Sequence, residues 1–175
     1  KLQEIVSQLE KAGYTVATKV INSDGTGHGY HNFMFDVSKD NDFGKTLYVA
    51  HYDTVDRDTG FSETRYGHGA PTHSDKVQLT RKHVSVREGV AFIDESNVLN
   101  SDVACLGADD GAGLAVMLNL MANGLLGGYC FTTGEEVGGV GADAVLQHAE
   151  PFLKQYDFAL EIDRRGTKDM VYEQS

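Results

Sequence analysis

Cysteine is scarce in this chain: Cys105 and Cys130 are the only two in 175 residues, and they form no C-x-x-C arrangement. That excludes a disulfide scaffold and a cysteine-based zinc finger. Two reduced, buried thiols imply an intracellular protein, and a cytoplasmic location is the expectation. Positive charge is short as well. Fifteen Lys+Arg face 26 Asp+Glu, for a net charge of −11. Such a surface repels phosphate backbones and anionic lipid, which argues against nucleic-acid and membrane partners. No long apolar run is present. The most apolar stretch, Gly113 to Gly128, is interrupted by Asn119 and Asn123 and falls short of the ~20 residues that a membrane span needs. The full G-x-x-x-x-G-K-S/T and G-x-S-x-G patterns are both missing, since Gly44-Lys45-Thr46 has Lys39 where the first glycine would stand, so the chain has neither a Walker-type phosphate loop nor a serine-hydrolase elbow. Neither cysteine lies in a recognisable nucleophile motif.

What remains is ordinary globular material with one excess. Hydrophobic residues make up 41% and charged residues 23%, far from the disordered range. The length suits one domain over residues 1–175. Glycine is the outlier, at 20 of 175 residues.

Hydrophobic periodicity sketches the elements. Leu2, Ile5, Val6, Leu9 and Ala12 recur at helical spacing, with Gly13 as the stop. Tyr14 to Ile21 and Tyr30 to Val37 read as an antiparallel pair around an Asn-Ser-Asp-Gly turn cluster. Lys45 to His51 is a strand, and residues 57–82 form a long polar loop or insertion. His83 to Val86 and Gly89 to Ile93 form a hairpin. A buried helix follows LGADDGAG (106–113), because Leu114 to Ala122 is apolar nearly all round. Gly128 to Thr133 is a strand, GEEVGGVGA (134–142) leads into a helix ending near His148, and Phe158 to Ile162 is the last strand. This alternation predicts an α/β fold of three layers: a mixed, mostly parallel central sheet with antiparallel edge strands and helices on both faces.

The unusual polar clusters fall at element ends. His51 and Asp53 close a strand, Asp109 and Asp110 open a helix, Glu135 and Glu136 follow a strand, and Asp163 closes the last one. In open α/β sheets, ligands bind beyond the carboxyl ends of the strands. Carboxylates gathered there without a cation would repel one another and take up protons. A divalent metal removes the conflict, and imidazole with carboxylates suits zinc, cobalt or manganese. In His51-x-Asp53 the two side chains share one face of the strand end, so Asp53 is placed to accept a ring N–H of His51 and leave the other nitrogen for metal. Of the adjacent pair Glu135 and Glu136, one is placed to ligate and its neighbour to act as a base.

HYDTV (51–55), LGADDGAG (106–113), GEEVGGVGA (134–142) and EIDRRG (161–166) resemble the signature blocks of the co-catalytic di-zinc exopeptidases, a group of tripeptidases, aminopeptidases and aminoacylase- or carboxypeptidase-type enzymes. The tripeptidase-like branch is the nearest likeness, since a long segment also separates its H-x-D from its bridging Asp. The resemblance implies two divalent metal ions, zinc above all. His51 and Asp163 would bind one and Asp109 would bridge both. Glu136 would bind the second, Glu135 would be the general base, and Asp53 would orient His51. It also implies an aminopeptidase-type hydrolysis of short peptides by a metal-activated water. A deacylase or carboxypeptidase acting on N-substituted amino acids is the alternative on the same scaffold, and a non-catalytic module that keeps the fold is another. The family carries a further His late in its catalytic domain, whereas none of the twelve residues after Asp163 is His. Three explanations stay open: a catalytic domain truncated at its C-terminus, ligands from elsewhere, or a site that holds one metal well and the other poorly. Oligomerisation is likewise left open.

Overall fold

The computed structural model of the chain describes residues 1–22, 31–54, 83–86, 89–93, 99–101, 107–136 and 138–163. Two compact units emerge. The larger comprises Lys1–Asp53 and Asp110–Ser175, the smaller Thr54–Asp109.

In chain order the elements are α1 (Leu2–Lys11), β1 (Thr15–Asn22), β2 (His31–Ser38), β3 (Thr46–His51), β4 (His83–Val86), β5 (Gly89–Ile93), β6 (Leu99–Ser101), α2 (Ala108–Ala122), β7 (Gly127–Thr132), α3 (Val140–His148), α4 (Glu150–Leu153) and β8 (Phe158–Glu161). The larger unit holds a five-stranded sheet in the order β1-β2-β7-β3-β8. β1 pairs antiparallel with β2 and β2 with β7. β3 runs parallel to both β7 and β8. The sheet is therefore mixed, with its antiparallel half at one edge.

Strand alternation sorts the side chains to two faces, and each face has its own helices. On one face Phe35 and Val37 of β2, Ala50 of β3, and Tyr129 and Phe131 of β7 pack against Ile5 and Leu9 of α1 and Met117 and Met121 of α2. On the other, Met34, Leu47 and Cys130 pack against Ala144, Val145 and Ala149. This is the expected three-layer α/β arrangement. Burying a side chain such as Met117 or Met121, both with no exposure, contributes roughly 1.5–3 kcal/mol.

The helices that flank β7 in sequence lie on different faces. α2, which precedes β7, packs on one face of the sheet. From β7 the chain leads through α3 on the opposite face to β8, which lies on the far side of β3. The helix before β7 and the helix after it thus pack on opposite faces of the sheet, as at the topological switch of an open α/β sheet. Two glycine-lined approaches keep the packing tight. A Cβ on Gly141, at the start of α3, would collide with the carbonyl of Thr133, and one on Gly113 of α2 would collide with the carbonyl of Ile162.

Helix α2 departs from expectation. Its apolar circumference predicts burial all round, yet its buried residues are Asp110, Gly113, Met117 and Met121, one stripe at three- and four-residue spacing. Val116, off that stripe, is 46% exposed. Composition reports only that a helix tolerates cover on every side; the neighbours decide how much cover it receives.

The smaller unit contains an antiparallel three-stranded sheet, β4-β5-β6. The hairpin β4–β5 agrees with the sequence. Strand β6 was not legible there, because Leu-Asn-Ser is too short to display a period of two and becomes a strand only through its pairing with β5. The segment 57–82, read as a loop, lies outside the described residues, as does Cys105. No described helix is long and apolar enough to cross a membrane.

Candidate metal centre

His51 is the last residue of β3, in register with Thr132 of β7. The ladder continues one step further, with Tyr52 donating its N–H to Thr132 O at 2.9 Å. On the other side Ile162 donates to Val49 O at 3.0 Å, so Asp163 follows directly from the pairing of β8 with β3. These backbone bonds set His51, the Glu135–Glu136 segment and Asp163 side by side at one end of the sheet.

The His51 ring is 2% exposed. Its Nδ1–H donates to the backbone carbonyl of Asp53 at 2.9 Å, and Nδ1 lies 3.5 Å from Asp53 Oδ1. The main chain of Asp53 therefore makes the closer contact, where the sequence had pointed to its carboxylate. Either partner has the same consequence: with the proton held on Nδ1, Nε2 is the ring nitrogen able to ligate. Nε2 lies 3.8 Å from Asp163 Oδ2.

Two sets of potential ligands converge on His51. One is His51, Glu135 and Glu136; the other is His51, Asp109 and Asp163. Within each set, one ligand atom from every residue lies within 4.8 Å of the others. Asp109 stands in the first turn of the continuous helix α2, one residue before Asp110. The four carboxylates singled out as ligands or base, Asp109, Glu135, Glu136 and Asp163, thus gather around the buried imidazole of His51. The donor chemistry, one ring nitrogen with carboxylate oxygens, fits a borderline divalent cation better than calcium or magnesium, which take all-oxygen shells. A divalent cation would be held through Nε2 of His51 and these carboxylates.

Asp110 has a different place. It is 3% exposed, and its Oδ1 accepts the N–H of Gly113 at 2.9 Å, closing the first turn of α2. Burial pushes its carboxyl up to about 6, with the negative charge of Asp163 adding to the rise and Gly113 and His51 opposing it.

The turn carrying Glu135 and Glu136 depends on its glycines. Gly134, Gly138 and Gly139 all have positive φ, at 77°, 101° and 73°, in the region open to glycine and costly to most side chains. The turn closes on itself through Gly138 and Gly139 N–H bonds to Glu135 O at 2.9 and 3.0 Å.

One residue went unread in the sequence. Asn32 of β2 is fully buried; its Nδ2 donates to Ile21 O at 3.2 Å, and its Oδ1 accepts the N–H of Thr133 at 3.1 Å. It therefore braces the segment leading from β7 toward Glu135. A polar residue amid Tyr30 to Val37 was the available signal, but an isolated Asn at a strand start resembles turn chemistry.

No protein-family model matches the chain, and no curated protein does. Among solved structures it is similar to human carnosine dipeptidase 1, with a TM-score of 0.50 and 11% identity over 93% of this chain and 32% of that one. The likeness concerns the fold alone: a mixed α/β chain with a five-stranded sheet, consistent with the architecture of that dipeptidase. The chain spans about a third of that neighbour's length.

Proposed function

We propose that this chain carries metal-ligating and base residues of a metal-dependent hydrolase, an aminopeptidase-type exopeptidase acting on short peptides with two divalent ions, zinc first among candidates. The observation that carries the reading is the convergence of two three-residue ligand sets on the buried ring of His51. The dipeptidase named in the neighbouring structure supports it at the level of fold.

When bound, the metal would supply Lewis-acid polarisation of the scissile carbonyl and a lowered pKa for the attacking water. The chain's own groups do the rest. His51 offers Nε2, fixed by the bond from Nδ1 to Asp53 O. Asp109, Asp163 and Glu136 offer carboxylate oxygens. Glu135, exposed at the turn, is placed to accept the proton of the attacking water and return it to the departing amine nitrogen.

Replacing Glu135 by Gln in the full-length protein keeps the side chain's shape and removes the base. Metal content should persist while turnover falls by about 10²–10⁴-fold. Retained turnover would overturn the assignment of the base. Fewer than about one metal per chain together with no hydrolysis would favour a non-catalytic module. A panel of free N-terminal peptides against N-acylated amino acids separates an aminopeptidase from a deacylase.

A further inference from the structure

We propose that Asp53 is a positioning residue that clamps the Glu135–Glu136 turn onto the end of β3. The inference rests on the metallohydrolase reading for its functional consequence, though not for its geometry. Asp53 Oδ1 accepts the backbone N–H of Glu135 at 3.4 Å, and Oδ2 accepts that of Glu136 at 3.3 Å. The same carboxylate lies 3.5 Å from Nδ1 of His51, while its own carbonyl receives the Nδ1–H. One residue thus holds the imidazole with its main chain and two consecutive amides with its side chain.

This arrangement answers a structural problem. The β3–β7 ladder ends at the bond from Tyr52 N–H to Thr132 O, so sheet pairing does not hold Asp53 to the Glu135–Glu136 turn. The bonds internal to the turn use the N–H groups of Gly138, Gly139 and Val140, with Glu135 O and Gly134 O as acceptors. They leave the N–H groups of Glu135 and Glu136 to find acceptors elsewhere. A carboxylate supplies two oxygens aimed at adjacent amides, and bonds to a charged acceptor are roughly twice as strong as neutral ones. The clamp fixes the backbone from which both Glu side chains project, and with it their distance from the His51 ring. Asp53 then acts through Glu135, Glu136 and His51 rather than on the substrate.

Residue-resolved amide hydrogen exchange on the metal-free, full-length protein tests the clamp directly. In Asp53→Ala the amides of Glu135 and Glu136 should exchange about 10-fold faster or more, while Leu9 in α1 stays unchanged. Unchanged rates at both amides would overturn the proposal. Should Asp53→Ala fail to fold, Asp53→Asn, with one acceptor oxygen in place of two, should speed at least one of the two amides; neither moving would again overturn it. Asp53→Asn should also weaken zinc binding by about 10–100-fold, the usual effect of removing an outer-shell partner, with the unfolding midpoint of the metal-free protein little changed. Protected amides in a protein that binds no metal would leave the clamp standing and sink the hydrolase reading. Metal binding with unprotected amides would do the reverse.

Discussion

Nε2 of His51 stands 3.8 Å from Oδ2 of Asp163, across the carboxyl ends of the neighbouring parallel strands β3 and β8. Around that pair lie Asp109, Glu135 and Glu136. So many carboxylates at one strand end repel one another until a cation joins them.

Zinc should therefore stabilise the folded protein. At a concentration about 100 times the dissociation constant, mass action contributes ~2.7 kcal/mol, or roughly 5–11 °C in unfolding midpoint for a chain of this size. Because His51 belongs to both ligand sets, His51→Ala should abolish the shift, whereas Asp163→Ala should remove only part of it. Calorimetry with and without zinc checks this, and an unchanged midpoint in the wild type would refute it.

Asn32 joins β1 to the segment that follows β7 through Ile21 O and the Thr133 N–H. Asn32→Ala leaves a buried donor and a buried acceptor without their partner, at a cost of about 1–3 kcal/mol. Urea unfolding should show a lower midpoint at an unaltered slope. A midpoint equal to the wild type would mean that the amide is dispensable.

Asp36 of β2 is buried; Gln155, just beyond α4, donates through Nε2 to its Oδ2 at 3.4 Å, and Oδ1 has no partner among the described residues. Burial raises its carboxyl above the ordinary range, against hydrogen bonds from Tyr156 and Gln155 that pull the other way. A raised folded-state value means that the folded protein holds the proton more tightly than the unfolded chain does. The associated stability is present below the ordinary carboxylate pKa of about 4 and is lost as pH rises through the raised value. Asp36→Asn should accordingly stabilise the protein at neutral pH and lose that advantage toward pH 4. Denaturation curves across this range decide, and an advantage that grows on acidification would contradict the sign.

Cys130, in the central strand β7, is 1% exposed, and burial pushes its thiol up to about 12. In a Cys105→Ser background, Cys130 should resist a thiol-specific disulfide reagent at pH 8 and react fully in denaturant. Rapid labelling of the folded protein would show that β7 opens locally.

The elements nearest the site were legible in the sequence for physical reasons that can be named. Leu2, Ile5 and Leu9 describe the buried stripe of α1, and the β-branched and aromatic runs locate β1, β2, β3, β7 and β8. The segment GEEVGGVGA stood out as leading into a helix, and the positive φ of Gly134, Gly138 and Gly139 came with the structure. The polar clusters at His51, Asp109, Glu135–Glu136 and Asp163 stood out because carboxylates at strand and helix ends have no packing role there. Local chemistry determines those elements and clusters, and the chain states them residue by residue.

Tertiary structure decided what depends on partners distant in sequence. Strand order placed β3 between β7 and β8, which brings Asp163 to His51 on one side and Glu135 to it on the other. Only that placement gives the Asp53 carboxylate the amides of Glu135 and Glu136 as partners, where H-x-D spacing alone suggests the imidazole. Packing likewise left one face of α2 open and made a three-residue strand of Leu99–Ser101. A residue's type limits the bonds it makes, but which groups come within reach is set by how the strands are ordered.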